Sequence, residues 1–249
     1  MSMHVKKLAI TDEKRIYPIY DLNRSLHLNE GAVDREVLIA ANHNGVVKTT
    51  SDQELLLVPA TFKDNMERMK QAAAIIIPKD IGFIIAECGL TKDSVVIDAG
   101  AGSGGSACTL GALCKKVYTY DIVKAHLDTV RENCEKLDLT NVDVIEGDIT
   151  TIEPKEQVDL FVLDIPETEK AIPTIKKALK QSGYAAIYTP HINQAQKFIS
   201  KLDDDFKLIT VIELIQRRWE VNDKQLRPKH NMLGHTAFLT IVRKFARGE

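Results

Sequence analysis

Residues 95–105 read VVIDAGAGSGG, an apolar, β-branched run that ends in a turn of glycines. Gly100, Gly102 and Gly105 satisfy GxGxxG between a predicted strand and a predicted helix. Such a loop lets the backbone approach a phosphate or a ribose, and the helix N-terminus that follows attracts negative or polar groups. Asp121 ends the next strand-like run, 21 residues after Gly100. There it is placed to accept hydrogen bonds from two ribose hydroxyls. On these residues alone a dinucleotide and S-adenosylmethionine compete, because a lone GxGxxG is a weak signal.

Three features favour S-adenosylmethionine. Asp98 sits inside the run, where an acidic group suits the ammonium of a methionine moiety and repels a pyrophosphate. Asp148 closes the run VDVIEGD, where a carboxylate could bond an adenine amino group. Asp164 closes VDLFVLD and is followed by Ile165-Pro166. Taken singly, each Asp also reads as a helix cap or turn residue. Together, Asp98, Asp121, Asp148 and Asp164 are expected at the carboxyl edge of a sheet, where open α/β folds bind ligands. Four acids suit a cationic sulfonium better than a dianion, which disfavours a nicotinamide-dependent oxidoreductase.

Residues 1–60 hold short β-like runs, among them VKKLAI, RIYPIY, SLHL, REVLIAA, GVVKTT and ELLLVPA. Turn formers such as Asn29-Glu30-Gly31 and Asn42-His43-Asn44-Gly45 separate them, which predicts a small β-rich domain. Residues 61–77 read as a connector, with a helix over 61–74. From 78 to 249, strands at 95–100, 116–121, 142–148, 158–164, 184–190, 208–216 and 236–244 alternate with helices near 79–88, 104–114, 124–137, 168–180 and 191–203. That alternation predicts a mostly parallel sheet covered on both faces. The last two strands, joined by a short polar segment at 217–235, are expected to pair antiparallel.

The chain has 249 residues, 44% hydrophobic and 27% charged, with a net charge of -2. It is long enough to bury a sizeable core without staples. The charge argues against a basic coat for nucleic acid but permits a local basic patch. Four cysteines show no CxxC spacing and no apolar leader precedes them, so a cytoplasmic protein with reduced thiols is expected. The most apolar window, AAAIIIPKDIGFIIAECGL, is broken by Pro78, Lys79 and Asp80, so no membrane span is expected.

With DAGAGSGG, YDIV, EGDI and LDIPE placed, the chain resembles the class I S-adenosylmethionine-dependent methyltransferases. More narrowly it resembles the tRNA (adenine-N1)-methyltransferases that modify the T-loop adenine at position 58 and, in some members, its neighbour at 57. The segment SLHLNEGAVDREVLIAANHNGVVKTTSDQELLLVPAT resembles that family's β-rich preface. IIIPKD, YTPHINQAQKF, and the closing RRWEV, Arg227-Pro228 and His235-Thr236 match its flanking segments. The chain departs from the pattern at Ile77, where Tyr is usual, at Gln71-Ala72-Ala73-Ala74, where an Arg is common, and at Pro166-Glu167-Thr168-Glu169, which carries one Pro.

The resemblance implies a Rossmann-like α/β fold with a seven-stranded, mostly parallel sheet. It implies a cofactor site of Asp98, Gly100, Ala101, Gly102, Ser103, Gly104, Asp121, Ile122, Asp148, Ile149 and Asp164, and a homotetramer. Methylation at N1 requires the adenine to leave its stack. A carboxylate that accepts a hydrogen bond from the exocyclic amine stabilises the charge that develops on the ring. Asp164 has the chemistry and the place for this, and no metal or covalent nucleophile is required. For tRNA, residues 215–230 combine Arg217, Arg218 and Arg227 with Trp219, a pairing suited to phosphate contact and base stacking. A solvated hairpin with Trp219 in the core or at a subunit contact accounts for that segment equally well. His235, beside the closing signature, joins the substrate set. Two alternatives remain: a precorrin-type methyltransferase, which needs neither the β-rich preface nor the closing segment, and a non-catalytic tRNA-binding subunit, which would be expected to lose the glycine loop.

Overall fold

The computed structural model describes residues 4–41 and 45–245. The chain forms two compact units: residues up to 70 together with 135–138, and residues 71–134 together with those from 139 onward. Of the expected connector, 61–70 thus fall in the first unit and 71–77 in the second.

The first unit contains strands β1 (Lys7–Thr11), β2 (Ile16–Ile19), β3 (Leu26–Leu28) and β4 (Gly31–Val33), helix α1 (Arg35–Ala40), strands β5 (Gly45–Lys48) and β6 (Glu54–Pro59), and helix α2 (Phe62–Met66). Four strands make an antiparallel sheet in the order β2-β1-β6-β5, and β3 pairs with β4. Ala9, Ile19, Leu55 and Leu57 from the sheet close a core over Val33 and Leu38. The run REVLIAA, expected as a strand, is α1 instead. Val37 and Ile39 are exposed and only Leu38 is buried, and a short apolar run does not by itself distinguish strand from helix. Buried Lys7 donates to the carbonyls of Leu38 and Ala41, at 3.3 and 2.7 Å, and so satisfies the orphan end of this helix. The expected helix over 61–74 is cut to α2, which starts at a capping box of Thr61 and Asp64. Asn42, His43 and Asn44 of the expected turn lie outside the described residues.

The second unit contains helix α3 (Pro78–Glu87), strand β7 (Val95–Ala99), helix α4 (Gly105–Gly111), strand β8 (Lys116–Asp121), all but the last two residues of helix α5 (Lys124–Lys136), and strands β9 (Val142–Glu146) and β10 (Val158–Leu163). A 3-10 turn (Thr168–Ala171) then leads into α6 (Ile172–Ala178), β11 (Leu179–Thr189), α7 (Ile192–Ile199) and β12 (Phe206–Glu213). A hairpin of β13 (Trp219–Asn222) and β14 (Gln225–Pro228) precedes the last strand, β15 (Phe238–Lys244). The seven-stranded sheet has the order β12-β15-β11-β10-β7-β8-β9. All neighbours are parallel except β15, which runs antiparallel to both β11 and β12.

β7 and β10 are buried along almost their whole length, as expected for central strands covered on both faces. Cores lie on each side, one around Phe161, Ile175 and Phe198, the other around Ile84, Leu110 and Leu160. The four cysteines are buried and free. β15 lies inside the sheet because Leu239–Val242 are fully buried, whereas β12 carries exposed residues and takes the edge. The chain winds outward from β7 to β9 in one direction and from β10 to β11 in the other. The crevice at that reversal, beyond the carboxyl ends of β7 and β10, is the position where such sheets take ligands.

Candidate active site

Three glycines of the loop between β7 and α4 have positive φ: Gly100 at 90°, Gly102 at 51° and Gly104 at 81°. The Gly100 and Ala101 amides both donate to the Tyr120 carbonyl, at 3.0 and 3.1 Å, which ties the loop to β8. A Cβ on Gly100 would collide with the carbonyl of Asp164, its carbonyl carbon only 2.8 Å away. The loop and the end of β10 are therefore packed backbone against backbone.

A cavity of about 680 Å³ opens beside this loop. Gly100, Gly102, Asp121, Ile122, Asp148, Ile149 and Asp164 of the expected set line it. Asp121 accepts from the Gly102 amide at 3.1 Å, from the Val123 amide at 2.9 Å and from His126 Nδ1 at 3.0 Å. A carboxylate offers about four acceptor sites, so roughly one is left for a ligand. Asp148 accepts from the Thr150 amide at 2.9 Å and from its hydroxyl at 2.7 Å, and these bonds hold its pKa below the usual carboxylate range. Ile122 is exposed and Ile149 buried, and together they give the cavity apolar wall.

Asp164 differs from both. Its amide donates to the Ala99 carbonyl at 2.8 Å, but among the described residues nothing hydrogen-bonds to its carboxylate. Burial pushes its pKa up to about 6, and the charge of Asp98 adds to the shift. A desolvated carboxylate with open lone pairs at a cavity wall is suited to accept a proton or a hydrogen bond from a ligand.

Four residues of the expected cofactor set do not face the cavity. Asp98 is 3% exposed and accepts from the Ser106 hydroxyl and from Thr119 Oγ1 at 2.6 Å. Burial raises its pKa to about 6. It binds β7 to α4 and β8, and the ammonium role read from the sequence does not fit that direction. Ser103 is fully buried; its hydroxyl accepts from the amides of Ala72 and Ala73, each at 2.8 Å, and donates to the Ala73 carbonyl at 2.7 Å. Those bonds lay residues 72–74 across Gly102, so Ala73 and Ala74 become cavity wall. Ala101 is buried under the loop, and a Cβ on Gly104 would press on Val130. The sequence reading missed Ala73, Ala74 and His126 as wall residues. His126 carried a signal, since it opens the helix that follows Asp121, five residues further on.

A family model described as tRNA methyltransferase complex GCD14 subunit matches residues 65–237. The chain is 32% identical to the tRNA (adenine(57)-N(1)/adenine(58)-N(1))-methyltransferase TrmI of Methanocaldococcus jannaschii, over 97% of this chain and 95% of that protein. This chain belongs to the GCD14/TrmI tRNA methyltransferase family. It is also 30% identical to the tRNA (adenine(58)-N(1))-methyltransferase TrmI of Thermus thermophilus, over 96% of each chain. The crystal structure of the Aquifex aeolicus tRNA (m1A58) methyltransferase TrmI superposes with a TM-score of 0.78 at 22% identity, covering 99% of this chain and 100% of that one.

In this TrmI-family chain the expected substrate residues fall into two groups. Arg217, Arg218 and Trp219 are exposed, Trp219 at 52%. Among the described residues neither arginine has an ion-pair partner. Arg227 faces Glu220 across the hairpin and pairs with it at 2.9 Å. His235 bonds Glu213 through Nδ1 and the Pro190 carbonyl through Nε2, at 2.7 Å for the latter. Two acceptors require both ring nitrogens to donate, which is the imidazolium form. Its pKa is raised accordingly, chiefly by Glu213. Arg227 and His235 are thus committed to internal partners. Trp219, Val221, Leu226 and Pro228 share one face of the hairpin, which is apolar rather than basic.

Proposed function

We propose that this chain transfers the methyl group of S-adenosylmethionine to N1 of an adenine in the tRNA T-loop, at position 58 or its neighbour 57. The observation that carries this reading is the carboxylate of Asp164, desolvated and without a hydrogen bond among the described residues, one strand away from the glycine loop. The cavity suits the cofactor in size, since small-molecule sites run to about 300–1,000 Å³, and in charge, since its carboxylates favour a cation. When bound, S-adenosylmethionine supplies an electrophilic methyl group on a sulfonium.

The residues divide the work. Gly100 and Gly102 bring backbone close to the ligand. Asp121 takes a ribose hydroxyl and Asp148 an adenine amine, while Ile122 and Ile149 supply apolar contact. Ala101, Ser103, Gly104 and Asp98 hold the loop in shape from behind. Asp164 accepts a hydrogen bond from the exocyclic amine of the target adenine and stabilises the positive charge that grows on the ring. Arg217, Arg218 and Trp219 meet the tRNA. A homotetramer and a cytoplasmic location complete the reading; among the described residues no helix is long and apolar enough to cross a membrane.

The test is calorimetric binding of S-adenosylmethionine against NAD, followed by transfer of labelled methyl to unmodified tRNA. Preference for NAD, or no methylated tRNA, overturns the proposal. Asp121→Ala is expected to weaken S-adenosylmethionine binding by about 1.5–3 kcal/mol, the scale for hydrogen bonds involving a charged group. Calorimetry giving wild-type affinity would remove Asp121 from the site. Reversing the charges of Arg217 and Arg218 together is expected to lower tRNA affinity and flatten the slope of log affinity against log salt by about 2, one per lost phosphate contact. A titration series over salt checks this, and an unaltered slope moves the tRNA surface elsewhere.

A further inference from the structure

At the end of β8 the sequence places one carboxylate for both hydroxyls of a ribose, and the structure leaves it room for one. Oδ1 of Asp121 accepts from the Val123 amide at 2.9 Å, in the tight turn that leads into α5. Oδ2 accepts twice, from the Gly102 amide at 3.1 Å and from His126 Nδ1 at 3.0 Å. Each carboxylate oxygen has two lone pairs. Oδ2 is therefore full, and Oδ1 keeps a single lone pair for a ligand.

His126 stands in the first turn of α5, where its amide donates to the Val123 carbonyl at 3.0 Å and its ring bonds back to Asp121. The ring is part of the cavity wall, and its side chain is 27% exposed against 9% for Asp121. A carboxylate only accepts, so Nδ1 carries the proton that joins the two side chains. In the uncharged ring Nε2 is then a bare acceptor. Among the described residues Nε2 has no hydrogen-bond partner. With Nδ1 committed, Nε2 is the polar atom that the ring has left to offer to the cavity.

We infer that His126 Nε2 accepts a hydrogen bond from one ribose hydroxyl of S-adenosylmethionine, while Asp121 Oδ1 accepts from the other. The assignment rests on the S-adenosylmethionine reading of the cavity. The vicinal hydroxyls of a ribose bring two protons to donate, and a donor left unsatisfied in the site loses its bond to water without replacement. Asp121 and His126, tied to each other, meet those protons with one acceptor each. The two bonds differ in kind, because one acceptor is charged and the other neutral. Removing the hydroxyl on Asp121 is expected to weaken binding about tenfold or more, and removing the one on His126 by about two- to tenfold. Asp121 acting by itself on both hydroxyls, with His126 only holding it in place, would give no such division.

The experiment measures calorimetric affinity for S-adenosylhomocysteine and for its 2′-deoxy and 3′-deoxy forms, in wild type and in His126→Asn. The Asn amide carries an N–H where Nδ1–H stands along the side chain, so it can still hold Asp121, but it has nothing in the place of Nε2. Folding of the variant is checked by thermal denaturation. In His126→Asn, removal of one particular hydroxyl is expected to change affinity by less than about twofold, the limit of additivity for independent groups. Removal of the other is expected to cost as much as in wild type. Wild type supplies a readout that needs no variant. The nitrogen NMR resonance of His126 Nε2 is expected to move upfield when S-adenosylhomocysteine binds, and to stay in place with the deoxy form that lacks its partner hydroxyl. Equal losses in His126→Asn and wild type for both deoxy forms, or an Nε2 resonance that does not move, overturn the assignment and leave the cofactor reading standing. No binding of S-adenosylhomocysteine or S-adenosylmethionine by the wild-type chain overturns the cofactor reading, and the assignment with it.

Discussion

Asp164→Asn is expected to slow methyl transfer by about 10²–10⁴, the usual contribution of one positioned acid–base group. The variant keeps the shape of the side chain and removes its charge, so S-adenosylmethionine affinity stays near the wild-type value. Single-turnover transfer of labelled methyl to tRNA is the measurement, because product release can mask the chemical step. The pH profile supplies a second readout. The ionised form is the active one and Asp164 sits at about 6, so wild-type kcat/KM falls as pH drops through that range. Asp98 lies near the same value and the two charges repel, so this limb belongs to the pair, and removing Asp164 flattens it.

The same shift makes a statement about stability. The folded-state pKa lies above the unfolded value of 3.8. The carboxyl therefore favours folding only while protonated, a contribution present below about pH 4 and lost as pH rises through about 6. At neutral pH the ionised group is a burden of about 2–3 kcal/mol at about 1.4 kcal/mol per pKa unit. Asp164→Asn is thus expected to raise the melting temperature at pH 7.5 while it lowers the rate. A rate at the wild-type level, or a melting temperature that falls, would make Asp164 structural.

Gly100→Ala is the second large effect. The added methyl meets the backbone of Asp164 rather than the end of a flexible side chain, and at a φ of 90° an L-residue is strained as well. Overpacking costs about 1–3 kcal/mol and the backbone strain about as much again. For a chain of this size the sum corresponds to a fall of roughly 5–15 °C in melting temperature. Because the collision pushes on the residue that carries the chemistry, methyl transfer is expected to fall further than stability alone explains. Gly82→Ala is the control: it lies in α3 with nothing within 4 Å of the added methyl, and is expected to be neutral or slightly stabilising. Equal melting curves for Gly100→Ala and wild type would show that the loop and β10 are not tightly opposed.

Much of this site was legible because it is written in local terms. The run VVIDAGAGSGG sets strand, turn and helix within eleven residues, and positive φ is needed at three of its glycines. Alternating strands and helices predict a parallel sheet, and acids at strand ends predict where its crevice becomes polar. The direction of a side chain at a strand end is a different matter. Asp98 lies inside the ladder, paired laterally with Thr119 and Val162, so it is buried among strands. Asp148 and Asp164 follow the last residues of β9 and β10 and reach the cavity. Asp98 is level with Val162, two register positions short of Asp164, and only the pairing of strands reveals which acid is held within the ladder and which stands beyond it.

Tertiary contact also decided what no local pattern records. Lys7 completes a helix end at residues 38 and 41, Ser103 folds residues 72–74 over the glycine loop, and Asp80 meets Thr236 across 156 positions of chain. Burial, with the charge of Asp98 adding to it, makes Asp164 a base near pH 6, while Asp148, three strands away in the sheet and held by Thr150, has its pKa lowered. Residue type supplies the carboxylate. Its proton affinity belongs to the surroundings, because the free energy of a charge depends on the water and the hydrogen-bond donors around it.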